Sequence, residues 1–481
     1  MKFERDIESF IRDYLKELNS NSASVFAGAG LSIPAGFVNW SELMKEIADD
    51  LGLELDLEND LISLAQYHVN ENANNSKINK IILNEFIQDA ELTENHNIIA
   101  RLPFTSIWTT NYDKLLEKSF QKVNKHIDVK YSVDQLTTND LNRDLVIYKM
   151  HGDASHASSA ILTKAQYEAY HKTHSSFINA LSGELTTKTF LFIGFSFNDP
   201  NLDYVLSRLD LNFGSNKRQH YCFVKKPELG DYKINDEAAL DYQLRKQRLI
   251  INDLKRYGIK SLVLNSYNQV TDILKEIEIR YKKQTIFISG SAEEYGEFDR
   301  ADATGLIHNL SKIIIKHNYK IVNGFGWGVG SSILNGALEQ IHSHKDRHSE
   351  SQLIMYPFPQ FKSGNKDLDN LWKEYRQKMI SKCGIVVFLF GNKINGNEII
   401  NADGVLKEFQ IAKENNCICL PIGLTGYSSQ KIYDIIVLNP EEYFEDPEFF
   451  LPYLEYLNNK ENNLEDIISK FEDLIKKISI F

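Results

Sequence analysis

The 481-residue sequence predicts an α/β fold made of two domains, each built around a parallel β-sheet. Short apolar runs alternate with segments whose apolar residues recur at helical spacing, and this alternation is typical of parallel sheets covered by helices. Several runs end in glycine, serine or asparagine, where a strand gives way to a turn. The strand-then-glycine pattern of residues 24–30 starts again at residues 285–291. We therefore predict domains at residues 1–283 and 284–481.

The bulk composition is that of a globular protein with an acidic balance of charge. Hydrophobic residues make up 42% of the chain, charged residues make up 25%, and the formal net charge is −12. This balance argues against a broad nucleic-acid interface, which needs a basic face. We also find no apolar signal segment and no apolar run long enough to cross a bilayer. We expect a cytoplasmic protein with neither nucleic acid nor a membrane as its partner.

The cysteines are few and scattered: Cys222, Cys383, Cys417 and Cys419. None of them forms a C-x-x-C pair, so the tetrahedral zinc signature is absent from the sequence. Isolated cysteines suit the reducing cytosol. We expect no metal cofactor.

The first domain begins with an amphipathic helix at residues 3–19, in which Phe3, Ile7 and Ile11 recur at helical spacing. A strand that starts at Ser24 and a helix near Trp40 follow. We interpret residues 51–97, which show helical spacing and asparagine-rich loops, as a small helical insertion. The later strands of this domain are predicted at residues 104–110, 145–150, 189–195, 221–224 and 261–264, before a helix at 270–281.

The second domain repeats this plan on a smaller scale, and we interpret both domains as Rossmann-like. Its glycine-dense turn covers residues 323–331, and its last segment, residues 464–478, has the spacing of an amphipathic helix. Its strands are predicted at residues 285–291, 352–356, 384–390 and 417–422.

Polar or glycine-rich clusters follow four strands of the first domain, at residues 28–32, 111–113, 151–153 and 196–201. In parallel sheets the ligand crevice lies at the carboxyl ends of the strands. Glycines let a backbone approach a ligand closely, and amides at a helix start favour a phosphate. Gly28-Ala29-Gly30 alone fits a ligand-free tight turn equally well. The coincidence of four clusters favours a binding site.

The order Gly28-Ala29-Gly30-Leu31-Ser32, Thr110-Asn111-Tyr112-Asp113, His151-Gly152 and Gly194-Phe195-Ser196 resembles the sirtuin family over roughly residues 1–283. Sirtuins bind NAD and break its bond between nicotinamide and ribose. The resemblance implies that Asn111 and His151 are the catalytic residues, with His151 as the base, and that Asn111 and Asp113 line the nicotinamide and ribose pocket. It implies contacts from Gly194 and Ser196 to the adenosine side, and an NAD-phosphate cradle made of Ala27, Gly28, Ala29, Gly30 and Ser32.

Two departures from the sirtuin pattern decide which acceptor we expect. Deacetylating sirtuins carry a four-cysteine zinc module, which this chain lacks, and their Ile-Pro-Asp-Phe-Arg segment is replaced after Ala35-Gly36 by residues 37–41. Water is then the expected acceptor, and NAD hydrolysis to ADP-ribose and nicotinamide is the favoured reaction. An NAD-dependent protein deacylase and a non-catalytic nucleotide sensor are the alternatives.

Ser289-Gly290-Ser291 and the glycine turn at 323–331 resemble the SLOG superfamily over about residues 284–481. The nucleotide phosphoribohydrolases related to this superfamily carry a Pro-Gly-Gly-x-Gly-Thr-x-x-Glu signature. That signature is missing here, which favours a binding pocket for a nucleotide-like signal over a second catalytic centre. The resemblance implies a set of signal-binding residues: Ser289, Gly290, Ser291, Gly324, Gly326, Arg376, Gly391, Asn392, Lys393 and Glu408.

The combination of a sirtuin-like and a SLOG-like domain resembles the NAD-consuming effectors of the bacterial Thoeris anti-phage system. In that family a TIR-domain partner protein makes a cyclic ADP-ribose isomer after infection, and this isomer activates the NADase by binding the SLOG domain. The resemblance also implies a homotetramer. We therefore expect NAD as the substrate and a cyclic ADP-ribose isomer as the activator.

Overall fold

The computed structural model describes residues 3–478 except residues 39, 59, 87–88, 360 and 363–366. It divides the chain into two compact units, Met1–Glu278 and Ile279–Phe481, which we call unit 1 and unit 2. Each unit contains its own parallel sheet. The predicted α/β class with two parallel-sheet domains is confirmed.

Seven strands form the sheet of unit 1: β1 (Ala23–Ala27), β2 (Ser106–Thr109), β3 (Ile127–Lys130), β4 (Leu145–Lys149), β5 (Thr189–Ile193), β6 (His220–Lys225) and β7 (Ile259–Leu264). Their order is β3-β4-β2-β1-β5-β6-β7, and all neighbouring strands run parallel. The chain leaves β1 toward β2 but leaves β5 toward β6, on the other side. The ligand crevice of such a sheet lies where these directions diverge, between the carboxyl ends of β1 and β5.

Twelve helices surround this sheet: α1 (Arg5–Asn19), α2 (Trp40–Leu43), α3 (Lys45–Asp50), α4 (Leu61–Asn72), α5 (Ser76–Phe86), α6 (Glu94–Arg101), α7 (Leu115–Lys122), α8 (Lys164–Thr173), α9 (Ser175–Thr187), α10 (Pro200–Phe213), α11 (Glu237–Arg256) and α12 (Asn268–Lys283). The count refers to the described part of the chain. The predicted helical insertion corresponds to α4, α5 and α6. The division between the two units falls inside α12.

Aromatic packing holds the central strands of unit 1 in place. All five residues of β1 are buried, and Phe26 stacks on Phe192 of β5 with 5.3 Å between the ring centroids. Trp108 of β2 stacks on Tyr148 of β4 at 4.2 Å. Such pairs contribute about 0.5–1.5 kcal/mol each beyond the area they bury. The loops at the carboxyl ends of these strands therefore rest on a rigid base.

Unit 2 has a five-stranded parallel sheet and a separate hairpin. In the described residues its strands are β8 (Thr285–Ser291), β9 (Lys320–Asn323), β10 (Leu353–Met355), β11 (Ile385–Phe390), β12 (Asn392–Asn395), β13 (Glu398–Asn401) and β14 (Ile418–Pro421). The sheet has the order β10-β9-β8-β11-β14. The helices are α13 (Arg300–Lys316), α14 (Gly330–Ser343), α15 (Leu368–Ile380), α16 (Asp403–Glu414), α17 (Tyr427–Leu438), α18 (Pro447–Asn458) and α19 (Leu464–Ile478).

The antiparallel pair β12-β13 is a feature that our sequence analysis did not predict. Asn395 pairs with Glu398 at the end of the hairpin, and Gly396 in the turn has a φ of +63°. A Gly-Asn pair between two short strands is a recognised hairpin signal. The hairpin directly follows β11, and it carries Lys393 of the predicted signal site.

None of the helices in the described residues is long and apolar enough to cross a membrane.

Candidate functional site

The glycines after β1 pack directly against the loop after β5. The Gly28 and Gly30 amides donate to the carbonyl oxygens of Ile193 and Gly194, both at 2.9 Å. A Cβ atom on Gly28 would lie 2.4 Å from the Gly194 oxygen, and one on Gly194 would lie 2.3 Å from the Leu31 nitrogen. Gly194 also has a φ of +64°, which favours glycine. These glycines are needed for contact between two backbones.

The chain after Gly28 does not pass directly into an α-helix. Two short 3-10 helices, Ala29–Leu31 and Ile33–Ala35, precede α2, because Pro34 has no N–H to donate and Gly36 turns the chain with a φ of +98°. Within the described part of the loop, the Ala29 amide is left without a protein partner. A phosphate bound here would have that amide available, with the exposed backbone of Ala29 and Gly30 beside it.

Asn111, Ser32 and Asp113 form one hydrogen-bonded network at the end of β2. The Asn111 amide nitrogen donates to the Gly28 carbonyl at 3.0 Å and to Ser32 Oγ at 3.1 Å. Ser32 Oγ donates to Asp113 Oδ2 at 2.8 Å, and Asp113 Oδ1 accepts from the Leu115 amide at 2.9 Å. This network assigns the NH₂ group of Asn111 to the protein side. Its Oδ1 is then free to accept a hydrogen bond from water or a ribose hydroxyl.

Both carboxylate oxygens of Asp113 thus have protein partners, and the side chain is only 5% exposed. In this structure Asp113 supports Ser32 and the start of α7. Ala27, the last residue of β1, is buried, and its carbonyl accepts from Thr109 Oγ1 at 2.9 Å. Ser196 lies exposed in the loop after β5.

His151 lies in the loop after β4 and is 4% exposed. Its Nε2 atom is 3.1 Å from Asp199 Oδ2, and the Tyr167 hydroxyl is 3.4 Å from its Nδ1 atom. Asp199 follows β5, so the sheet brings together side chains that are 48 positions apart in the sequence. Asn111 and His151 follow the adjacent strands β2 and β4, at the same edge as the glycine loop.

A buried ammonium joins the loops that carry Asn111 and His151. Lys149, the last residue of β4, is 0% exposed, and its Nζ donates to the carbonyls of Tyr112 at 3.2 Å and Asp113 at 2.6 Å. It also pairs with Glu117 at 2.9 Å and with Asp153 at 2.6 Å. Burial opposes the charge on Lys149, but the two carboxylates outweigh it and raise the pKa of the ammonium.

A cavity of about 530 Å³ opens beside the loop that follows β1. It is lined by residues 34–37 and 89–93 and by Glu85.

Across the described residues, no group of three or more His, Cys, Asp or Glu side chains is arranged to hold a metal ion.

In unit 2 the predicted signal residues Ser289, Arg376 and Glu408 come together. Ser289 Oγ donates to Glu408 Oε2 at 2.5 Å, and Arg376 Nε lies 3.4 Å from Glu408 Oε1. Burial raises the pKa of Glu408 despite the opposing effects of Ser289 and Arg376. The Arg376 guanidinium also stacks on Phe358 at 5.1 Å. The Arg–Glu pair therefore lies beside β8, with the Arg376 side chain 13% exposed and the Glu408 side chain 7% exposed.

Some of the other predicted signal residues pack within loops, and others are exposed to solvent. Asn392 is 1% exposed and its Oδ1 accepts from the Glu293 amide at 2.8 Å. Lys393 pairs with Asp403 and is half exposed. The packing residues include three glycines and one serine. A Cβ on Gly290, Gly324 or Gly391 would lie 2.5–2.6 Å from a neighbouring atom, and Ser291 Oγ donates to the Asn392 carbonyl at 2.9 Å.

The glycine turn after β9 presents open amides. Gly326 lies so close to β8 that a Cβ there would be 2.1 Å from the Gly290 oxygen, and the Trp327 carbonyl accepts from the Ala292 amide at 2.8 Å. As far as the structure describes the chain, the amides of Gly326 and Trp327 have no protein partner. Trp327 itself is 73% exposed. The turn is fixed to β8, and these two amides are left for a ligand.

Comparison with known proteins identifies the family. A family model described as SIR2-like domain matches residues 105–250, and one described as the Sir2- and TIR-associating SLOG family matches residues 269–478. Over 100% of both chains, the protein is 45% identical to the NAD(+) hydrolase ThsA of Bacillus cereus (strain MSX-D12). The chain belongs to the ThsA family of NAD(+) hydrolases.

Two further relatives have related names. ThsA of Cytobacillus dafuensis is 41% identical over 98% of this chain and 96% of its own. Defense-associated sirtuin 2 of Bacillus subtilis is 22% identical over 65% of this chain and 31% of its own. This ThsA-family chain is an NAD(+) glycohydrolase with NAD as its substrate. Of the three functions weighed from the sequence, NAD hydrolysis is therefore the one that holds.

Asp199 and Lys149 of this ThsA-family chain are not among the site residues predicted from the sequence. The sequence does contain a signal for the position of Asp199, because an aspartate directly before a proline is typical of a helix start. That signal places its side chain at the carboxyl edge of β5. Lys149 carried none, since a lysine that ends a buried strand looks like an ordinary surface charge.

Proposed function

We propose that Asn111 and His151 carry out NAD hydrolysis at the carboxyl edge of unit 1, and that a cyclic ADP-ribose isomer bound to unit 2 switches this reaction on. The observation that carries the catalytic part is the orientation of Asn111. Two protein acceptors hold its NH₂ group, so its oxygen is left for a ligand, and His151 follows the neighbouring strand β4.

The chemistry of the reaction fits this pair of side chains. Hydrolysis breaks the bond between the nicotinamide nitrogen and C1 of the ribose, and the oxygen of water bonds to that carbon. The bond's electron pair neutralises the nicotinamide ring, so the leaving group needs no proton. The reacting ribose carries oxocarbenium character, as in glycoside hydrolysis. Asn111 orients the water or a ribose hydroxyl, and His151 takes the proton that the water loses.

Substitution at the two positions tests the catalytic part. Asn111→Ala and His151→Ala are each expected to lower the release of nicotinamide by about 10²-fold or more. His156→Ala is a matched control, because His156 is exposed and stacks on Tyr131 five residues beyond His151. If the His151→Ala protein is folded and hydrolyses NAD at the rate of the control, the assignment is wrong.

The activation part of the proposal is supported by the groups that unit 2 offers to a nucleotide. Arg376 can pair with a phosphate through its planar guanidinium, Lys393 adds a point charge, and the open amides of Gly326 and Trp327 suit a second phosphate. Glu408 can accept from ribose hydroxyls. The matched family is described as Sir2- and TIR-associating. This description supports a TIR-domain protein as the source of the signal.

The test is NAD turnover by the full chain with each of a panel of cyclic ADP-ribose isomers. We expect at least one isomer to raise the rate, and Arg376→Ala and Glu408→Gln to remove that increase. Lys373→Ala is the control, since Lys373 lies exposed on the same helix as Arg376. A switch from 1% to 99% active requires the isomer to bind the active state about 10⁴-fold more tightly. A rate that no isomer changes would contradict the proposal.

We further infer that the enzyme acts in the cytoplasm, where it depletes NAD during bacterial anti-phage defence. The name of the Bacillus subtilis relative, Defense-associated sirtuin 2, supports the defence role. The four cysteines are unpaired and buried, which suits a reducing compartment. Survival of phage-infected cells that carry the wild-type gene or the His151→Ala variant tests this role, and equal survival would contradict it.

We also propose that the chain forms a homotetramer. Of the twenty residues of α11, all of which the structure describes, Leu254 is the buried one. Tyr242 is 63% exposed and Leu249 is 64% exposed, so this long helix has apolar side chains that a second copy could cover. Light scattering of the wild type should give four times the 55.4 kDa chain mass, and Leu249→Asp should lower it. A monomeric wild type would refute this part.

A further inference from the structure

Asp199 is held in one orientation by the start of α10. Its Oδ1 atom accepts hydrogen bonds from the amides of Asn201 and Leu202, both at 2.9 Å, and Pro200 occupies the first position of the helix. The Asp199 side chain is 9% exposed. A carboxylate fixed by two amides cannot turn away, so its second oxygen points in a defined direction.

That second oxygen faces the His151 ring. Asp199 Oδ2 lies 3.1 Å from His151 Nε2, at ion-pair distance, although the contact does not have the geometry of a hydrogen bond. Contacts of catalytic histidines are commonly misaligned without substrate and tighten when substrate binds. Burial raises the pKa of Asp199, but the His151 ring and the two helix amides outweigh burial and hold this pKa below its usual value. The carboxyl group is therefore ionised.

The other ring nitrogen of His151 is the one left for substrate. Its Nδ1 atom is 3.4 Å from the Tyr167 hydroxyl, which is longer than a strong hydrogen bond. A water molecule or ribose hydroxyl can replace so weak a contact. If Nε2 carries a proton toward Asp199, then Nδ1 holds the lone pair that accepts a proton.

We propose that Asp199 is the positioning residue of His151. Its carboxylate holds the ring with the Nε2 proton toward Oδ2, so that Nδ1 accepts the proton released by the attacking water. It then offsets the positive charge of the protonated ring, which returns its proton to solvent after ADP-ribose leaves. This role rests on the proposed function of His151 as the base.

Four titratable side chains that interact electrostatically with the pair are neutral near pH 7. Burial raises the pKa of Tyr112, Tyr167 and Tyr170, which therefore keep their protons near neutral pH. Burial, together with His151, lowers the pKa of His174. The Asp199 carboxylate is thus the charged group with which the His151 ring mainly interacts.

The variant Asp199→Asn tests the proposal without removing the helix cap. Asparagine caps helices about as well as aspartate, so the substitution removes the charge and keeps the shape. We expect kcat for NAD to fall by about 10²-fold or more with KM within about threefold of wild type. The full chain is assayed under the conditions that give the wild type its highest rate.

Asp236→Asn is the matched control. Asp236 caps α11 through the Ala239 amide at 2.7 Å and is exposed, so it receives the same chemical change at a helix start outside the site. Thermal unfolding of both variants separates a loss of folding from a loss of chemistry. We expect Asp236→Asn to retain wild-type kcat and KM.

A double-mutant cycle with His151→Ala decides whether Asp199 acts through His151. Residues that act as a unit are strongly non-additive, so Asp199→Asn should lower the residual rate of His151→Ala by less than about twofold. Full additivity, or an Asp199→Asn enzyme with wild-type kcat, overturns the inference. If His151→Ala itself leaves the rate intact, the proposed function fails instead. Should Asp199→Asn unfold at lower temperature than the control, Asp199→Ser, which also caps, is carried through the same cycle.

Discussion

Replacing Lys149 with methionine is expected to destabilise unit 1 and to slow NAD hydrolysis together. The Lys149 ammonium contacts the carbonyls of Tyr112 and Asp113, beside Asn111, and the carboxylates of Glu117 and Asp153. Methionine has nearly the same length but no donor. The loops that carry Asn111 and His151 would lose the group that they share.

The size of the effect follows from burial. Lys149 is 0% exposed and the side chains of Glu117 and Asp153 are 10% and 4% exposed. Removal of one partner from a buried ion pair costs about 3–5 kcal/mol, because a charge stays buried without compensation. For a domain of this size each kcal/mol lowers the unfolding temperature by about 2–4 °C. We therefore expect Lys149→Met to lower it by about 6–20 °C.

Thermal unfolding of the full chain, monitored by circular dichroism, measures the loss, and nicotinamide release measures activity. Lys16→Met is the control, since the 70% exposed Lys16 pairs with Asp13 on the surface and such pairs contribute little. In a Glu117→Gln background, Lys149→Met should cost less than in the wild type, because one uncompensated carboxylate is gone. A change in unfolding temperature no larger than that of Lys16→Met would refute this reasoning.

Three further substitutions probe the same unit. Gly194→Ala should abolish NAD hydrolysis, since Gly194 has a φ of +64° and its added Cβ would lie 2.3 Å from backbone; retained activity in a nicotinamide assay would count against the packing role of this glycine. Ser32→Ala should lower kcat about fivefold, because loss of one neutral hydrogen-bond partner of Asn111 is worth about 1 kcal/mol; an unchanged kcat would mean that Asn111 keeps its orientation without Ser32. Burial lowers the pKa of His220 to about 3, below the value of about 6.5 in unfolded chains. The unfolded state therefore binds the extra proton below about pH 6.5, and stability is lost as pH falls toward 3, by up to about 1.4 kcal/mol per pH unit. His220→Gln should flatten this dependence in urea titrations at several pH values, and an equal slope would exclude His220 as its source.

Burial along the whole strand accounts for three of the predicted strands, whereas β10 was predicted although its residues are half buried and β9 was missed although three of its four residues are buried. β1, β2 and β5 are apolar runs whose residues are all buried, so composition alone marks them. β3 escaped prediction because Ile127, Asp128 and Val129 of this edge strand are half buried, and a short alternating run resembles a loop. Residue burial at a sheet edge depends on the neighbours, which local sequence does not specify.

The candidate site was likewise predicted only in part from the sequence. The clusters at Asn111 and His151 could be placed at one edge of the sheet, because the carboxyl ends of parallel strands always share an edge. The partner of His151 could not be named, since it depends on β5 lying on the far side of β1 and on the direction in which α10 starts. Asp113 shows the converse: its position was predicted, yet both of its oxygens are used by Ser32 and Leu115.

The glycine-rich turns of the two units look alike in sequence, but their amides are used differently. In unit 1 the Gly28 and Gly30 amides bond to the loop after β5, at Ile193 and Gly194. An NAD phosphate at this loop must therefore be held largely by groups other than these two amides. In unit 2 the turn is anchored through the Trp327 carbonyl, and the amides of Gly326 and Trp327 stay open within the described chain. These open amides and the Arg376 guanidinium are groups of unit 2 that suit an anionic nucleotide, the signal proposed above. In the proposed mechanism such a difference is expected, because strong binding of substrate in the resting state does not by itself speed the reaction.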